Sequence, residues 1–178
     1  MIETLREQIE RISPVDQREI ESIALTLDRL SCAGNPFSET ENEHHVTASA
    51  FVVSSRGVIL HRHRRLGIWV QPGGHIDEGE TPDAACARET TEETGLDVRH
   101  IEPVSVFHVD VHAGPHGHTH YDLRYVLLAE PVDPEPPEGE SPDVYWFDFP
   151  SAITRAEPNL APALAKLAES RAVFGVTD

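Results

Sequence analysis

Apolar residues recur at helical spacing along the first thirty positions. Ile2, Leu5, Ile9 and Ile12 step by three and four residues, and Ile20, Ile23, Leu27 and Leu30 continue the stripe. Between them Ser13-Pro14 supplies an N-cap followed by a proline at the first helical position. The pattern predicts two helices over 1–32. They form either a hairpin packed on the body or the interface of a homodimer, because a stripe this narrow does not say which surface it meets. Gly34, Asn35 and Pro36 then break the period, and 31–44 reads as a linker.

From Thr47 the period becomes strand-like. Ala48–Val53 and Val58–Leu60 are β-prone runs joined across Ser54–Gly57, a hairpin signal. Pro72-Gly73-Gly74 predicts a tight turn, and Thr81-Pro82 caps a helix running to about Thr94 and ended by Gly95. Val104–His112, Thr119–Ala129 and Val144–Phe149 read as three more strands, with a final helix near Ala161–Val173. Residues 130–143 hold six acids and five prolines and read as an exposed loop. Strands and helices mix without regular βαβ alternation, which favours an α/β fold with a mixed sheet carrying helices. The expected division is an N-terminal helical extension over 1–35 and a main domain over 36–178.

Composition changes this picture in one respect. Hydrophobic residues at 39% and charged residues at 25% are ordinary for a globular chain of 178 residues. The formal charge of −17, with Lys166 the only lysine, opposes proteins that neutralise many phosphates along a duplex, and equally opposes an anionic leaflet. Neither bulk nucleic acid nor a membrane is therefore expected as partner. A small anionic substrate stays open, because a divalent cation held by carboxylates reverses the local field. No apolar run approaches the ~20 residues needed to span a bilayer, and Met1–Glu7 lacks the apolar core of a signal peptide. Cys32 and Cys86 fit no metal or redox spacing and are read as reduced, buried or inert, which points to the cytoplasm.

The chemistry concentrates in Gly74–Leu96, GHIDEGETPDAACARETTEETGL. Glu89, Glu92 and Glu93 stand at i, i+3 and i+4 of the predicted helix, so three like charges share one face. Such repulsion gains the helix nothing, whereas a hard divalent cation needs oxygen ligands so placed. The opposite face carries Cys86, Ala87, Thr90 and Thr94, small enough to pack closely on a sheet. Arg88 is placed to pair with Glu80 or with a substrate phosphate.

These residues resemble the Nudix hydrolase box. Gly74, Glu80, Arg88, Glu89, Glu92, Glu93, Gly95 and Leu96 fill it at the family's spacing, and Thr90 alone departs, standing where an aliphatic residue is usual. The resemblance extends more loosely over 46–150. It implies an α/β/α sandwich, and hydrolysis of a nucleoside diphosphate linked to another group. It also implies Mg²⁺ or Mn²⁺ held by Glu89, Glu92 and Glu93, with Glu92 either ligand or base, and the Gly74 carbonyl adding a ligand. Arg88 and Glu80 are expected to orient the loop, and Gly95 to end the helix. The competing reading is a catalytically weak Nudix-fold module that binds or senses nucleotides.

Two further clusters stand out. If their segments are strands, His108, Asp110 and His112 share one face, as do His118, His120, Asp122 and Arg124 on the next, with Gly114, Pro115 and Gly117 turning between them. Three readings compete: a polar surface facing substrate, an imidazole-rich second metal site, or an exposed loop. His61–Arg65 is the basic cluster of an acidic chain, and Arg64 and Arg65 are its candidates for a phosphate clamp. His75, inside the glycine loop, joins His120, Asp122 and Arg124 as a candidate substrate contact. Trp69, Phe107 and Tyr125 are candidates to stack a base. A general base outside the box is open among Asp110, Asp122, Glu138 and Glu140. The substrate is expected to be a small diphosphate. A nucleoside triphosphate and a nucleotide-sugar-like compound both remain open, because the downstream residues that mark several substrate classes of the family are missing.

Overall fold

The strong alternation of β1 (His44–Ser54) builds two different faces from one strand. Val46, Ala48, Ala50 and Val52 point into one apolar core, and Phe51 and Val53 into another. A computed structural model describes residues 1–114, 117–172, 174 and 175. β1 turns through Ser55 and Arg56 into β2 (Gly57–Arg62), with Val53 opposite Val58, as the hairpin signal predicts. It also pairs in parallel along ten residues with β7 (Thr119–Ala129), setting His45 opposite His120, Thr47 opposite Asp122 and Ser49 opposite Arg124. The short strands β3 (Trp69–Val70) and β4 (Gly73–His75) join β2 and β1 respectively. β5 (Val98–His100) and β6 (His108–Ala113) both pair with β7, and β8 (Val144–Phe147) pairs with β2.

Helices cover both faces, giving an α/β/α arrangement around a mixed sheet. α1 (Ile2–Glu10) contributes Leu5 and Ile9 to the first core, where α3 (Pro82–Thr94) adds Ala85 and Cys86. α4 (Phe149–Arg155) and α5 (Ala161–Ser170) cover the second with Phe149, Ala152, Leu164 and Leu167. Three expected bounds shift. Residues 104–107 lie outside the strand that begins at His108, Phe149 starts a helix rather than ending a strand, and the last helix stops at Ser170. Part of the expected turn, Pro115, lies outside the described residues, as do His116 and Val173.

α2 (Gln17–Arg29) departs from expectation at its start and along part of its buried face. Its N-cap is Asp16, which accepts from the Glu19 amide, and not Ser13. Its fully buried positions are polar, Glu19, Ser22, Thr26 and Arg29; of the expected stripe, Leu30 is buried in the first core, Ile23 and Leu27 pack against it, and Ile20 is about half exposed. The reason is the edge of β6. Glu19 accepts from the Val109 amide and Ser22 from the Val111 amide, so the helix satisfies edge-strand donors that an apolar stripe would leave bare. Arg18 completes the seam on Asp110 and the Val111 carbonyl. The expected linker is likewise not free, since the Pro36 carbonyl accepts from the Val46 amide and Phe37 is buried in the first core. Both cysteines are free thiols, Cys86 buried and Cys32 exposed.

Candidate active site

The same alternation that fills the second core opens a cleft beside it. Along β1 the odd positions run His45, Thr47, Ser49, then Phe51 and Val53. The last two are covered by α4 and α5, while Thr47 and Ser49 face a cleft of about 680 Å³ and His45 is buried at the start of the strand. Register brings Asp122 and Arg124 of β7 and Asp110 and His112 of β6 onto this floor. Gly73, Gly74, His75 and Glu93 form one wall, and His61, His63 and Arg65 line another part.

The helix carrying the glutamates is fixed by local chemistry. The Thr81 hydroxyl accepts from the Ala84 amide, Pro82 occupies the first turn, and Gly95 closes the end at φ 71°. Gly95 also lies where a Cβ would fall 2.1 Å from the Glu135 carbonyl oxygen. Thr90 is buried against the sheet with its hydroxyl unpartnered, a polar cost that an aliphatic residue would avoid.

Glu93 accepts from the Gly73 amide at 2.9 Å, and its other oxygen lies 3.8 Å from His61 Nδ1. Burial pushes its carboxyl up to about 8, and neighbouring Glu89, Glu140 and Glu92 add repulsion. The Glu89 carboxyl is raised too, again chiefly by burial, with Arg88 opposing. Glu89 rests against the glycine loop so closely that a Cβ on Gly74 would stand 2.6 Å from its carboxyl carbon. Glu92 is half exposed and 3.2 Å from Arg88. Arg88 donates to both oxygens of Glu80, to Glu89, to Glu92 and to the His75 carbonyl, tying helix to loop.

On the cleft floor, Asp122 accepts from Thr47, Ser49, Gln71 and Arg124. Arg124 is buried and also donates to Asp110, so its charge is balanced within the protein. Asp110 is held well below the usual carboxylate range by His112, Arg124 and Arg18, which outweigh its burial. His108 sits deep between Arg124 and Glu19, its imidazole pushed down to about 2 by burial and by the Arg124 charge. Arg64 is exposed and donates to the Gly139 carbonyl. Tyr125 is in the first core, Phe107 packs on Phe51, and Trp69 packs on Tyr145 and Phe147.

A NUDIX domain family model matches residues 43–168, which include this helix, its glycine loop and the strands of the cleft. The chain belongs to the NUDIX domain family. A Bacillus subtilis (strain 168) protein provisionally named 8-oxo-dGTP diphosphatase is 33% identical over 64 residues, 34% of this chain and 43% of that protein. A MutT-like protein of Streptomyces ambofaciens is 38% identical over 65 residues, 36% and 42% of the two chains. The match thus spans less than half the length of these curated relatives. Among solved structures, a NUDIX-family hydrolase from Clostridium perfringens superposes with TM-score 0.62 at 26% identity, covering 73% of this chain and 97% of that one. A C. elegans Ap4A hydrolase shares the fold, with TM-score 0.58 at 19% identity over 70% and 96%.

The arrangement fits the divalent ion that Nudix hydrolases generally need in an oxygen-donor role. Glu89 and Glu93 are half-buried acids whose carboxyls are pushed up chiefly by loss of water, and both stand at the glycine loop. His45, which the sequence reading passed over, proves to be central to another cluster. The available signal was its position two residues before Thr47 and four before Ser49, in an alternating polar run that leads into an apolar one.

Proposed function

We propose that this chain hydrolyses a diphosphate bond in a nucleoside diphosphate linked to another group, with Mg²⁺ or Mn²⁺. The observation that carries the reading is the pair of half-buried carboxyls, Glu89 and Glu93, seated on the Gly73-Gly74 loop, with Glu93 at the wall of an open cleft. Glu89, Glu93 and the Gly74 carbonyl would hold the ion. Glu92, half exposed, would serve as ligand or as base once Arg88 shifts its bonds. A bound ion would supply charge neutralisation of the diphosphate and a more acidic water. The chain's own part is to fix the carboxylates. Gly73 orients Glu93, and Arg88 with Glu80 holds the loop against the helix, so positioning is set before substrate arrives. Arg65 and His63 on the cleft wall, with Arg64 nearby, offer the phosphate clamp, and His75 lies beside the loop.

In the reaction a water oxygen bonds to one phosphorus while the bridging P–O bond breaks. The water's proton passes to a carboxylate, and a nucleoside monophosphate is released. The curated relative's name makes nucleoside triphosphates the first class to assay. The proposed site of action is the cytoplasm, with 1–35 as an extension of the catalytic domain.

A panel of nucleoside diphosphate derivatives with Mg²⁺ and with Mn²⁺, scored by phosphate and nucleotide release, tests the activity. Glu93→Gln and Glu92→Gln should each lower turnover on the best substrate by about 10²- to 10⁴-fold. Wild-type turnover in both would overturn the carboxylate assignment. Tight binding by calorimetry without product release would favour a nucleotide sensor instead.

A further inference from the structure

Three histidines from distant parts of the chain meet at the end of the cleft. His45 is opposite His120 in the β1/β7 ladder, and His75 follows the glycine loop opposite Thr47. Their ring centroids lie 5.0, 5.1 and 5.4 Å apart. A ring nitrogen from each falls within 4.8 Å of the other two. The Nε2 atoms of all three are buried, and none has a hydrogen-bond partner. One such orphan costs a fold free energy, and three at one point call for an explanation.

The outer contacts place an acceptor behind two of the rings. His45 Nδ1 lies 2.9 Å from the Asn42 carbonyl, which only accepts, so Nδ1 carries the proton and Nε2 keeps its lone pair. His75 Nδ1 lies 3.3 Å from a Glu39 carboxylate oxygen, an acceptor on the same side of its ring. Carbonyl or carboxylate support behind a ligating imidazole is the usual outer shell of a metal site. Space in front of the third nitrogen is kept by Gly114, where a Cβ would stand 2.4 Å from His120 Nε2.

We propose that His45, His75 and His120 form a nitrogen-donor site for a borderline divalent transition ion of the Zn²⁺ type, separate from the carboxylates of α3. Imidazole suits such ions, whereas Mg²⁺ prefers oxygen donors. A tetrahedral ion with Zn–N of about 2.0–2.1 Å sets its ligand nitrogens roughly 3.3 Å apart, so the rings close by no more than about 1.5 Å on binding. Three protein ligands leave a fourth position for water or a substrate oxygen. His75 and His120 both line the cleft, which places that position beside the site of hydrolysis. The ion would also pin the 31–43 connection, through Asn42 and Glu39, to the glycine loop. The cluster differs from the set expected in sequence. His108 lies apart between Arg124 and Glu19, and His112 stands beside the trio, with its ring 5.5 Å from His120.

The inference does not rest on the hydrolase reading, and its test reads coordination rather than turnover. Full-length protein stripped with a chelator is titrated with Zn²⁺, and separately with Co²⁺, in a large excess of Mg²⁺. One equivalent should bind per chain, with nitrogen-rich coordination by X-ray absorption and the visible bands of tetrahedral Co²⁺. Loss of a ligand should cost no less than the roughly 10- to 100-fold that loss of an outer-shell partner costs. His120→Asn and His75→Asn should therefore weaken Zn²⁺ binding by about 100-fold, while Glu93→Gln stays within threefold of wild type. Failure of the wild type to bind, oxygen-only coordination, or Zn²⁺ binding lost in Glu93→Gln and retained in His120→Asn would each overturn the proposal. Should either histidine variant unfold, X-ray absorption on the wild type still decides.

Discussion

Substituting Gly74→Ala separates geometry at the site from stability of the fold. The added methyl would stand 2.6 Å from both Cδ and Oε2 of Glu89 and 2.7 Å from its Oε1. Heavy atoms settle at roughly 3.5 Å, so the carboxylate must withdraw by about 0.9 Å. It is the far end of a flexible side chain with 19% of its area exposed, so the retreat should cost the fold less than about 1 kcal/mol. Catalysis is less forgiving, since a misplacement near 1 Å costs on the order of 10²-fold in rate. The Gly74 carbonyl survives the substitution, so the loss reports on Glu89. Gly95→Ala is the contrasting variant. Its methyl would meet the Glu135 backbone at 2.1 Å from a residue at φ 71°, and backbone cannot swing aside. That variant should lose about 2–4 kcal/mol. Urea denaturation and product release on the best diphosphate substrate measure both. Gly74→Ala within threefold of the wild-type rate, or as destabilised as Gly95→Ala, would refute the reasoning.

Two further outcomes follow from the buried polar floor. Asp122→Ala removes the acceptor of four donors and leaves the buried Arg124 with Asp110 as its remaining carboxylate, so stability should fall by about 3 kcal/mol. A loss below about 1 kcal/mol in urea would show that the network carries little. His108 gives a pH signature. Its folded pKa, pushed down to about 2, is below that of the unfolded chain, so the unfolded state binds the extra proton and stability drops as pH falls below about 6.5. At about 1.4 kcal/mol per unit, its share of the loss by pH 5 is about 2 kcal/mol. Denaturation of wild type and His108→Gln between pH 7 and 5 should differ in slope by that amount, and parallel curves would count against a buried neutral imidazole.

The sequence by itself determined the elements whose causes are local. Thr81, Pro82 and Gly95 write both ends of α3 into adjacent residues. The spacing of Glu89, Glu92 and Glu93 puts three carboxylates on one helical face whatever surrounds them. The bounds of β7 and the β1/β2 hairpin were legible for the same reason, alternation interrupted by turn residues. Tertiary structure decided where long-range partners override local pattern. Ile23, Leu27 and Leu30 pack on the first core as their stripe predicts, but the edge amides of Val109 and Val111 drew Glu19 and Ser22 inward as well, because buried donors must be satisfied. Arg88 could have faced a phosphate, and the fold gave it Glu80, Glu89 and Glu92. The histidine trio was beyond local reading, since His45, His75 and His120 meet only through the parallel register of β1 with β7 and the return of β4. Periodicity fixes which face of a strand a residue occupies, and only strand pairing fixes what stands beside it.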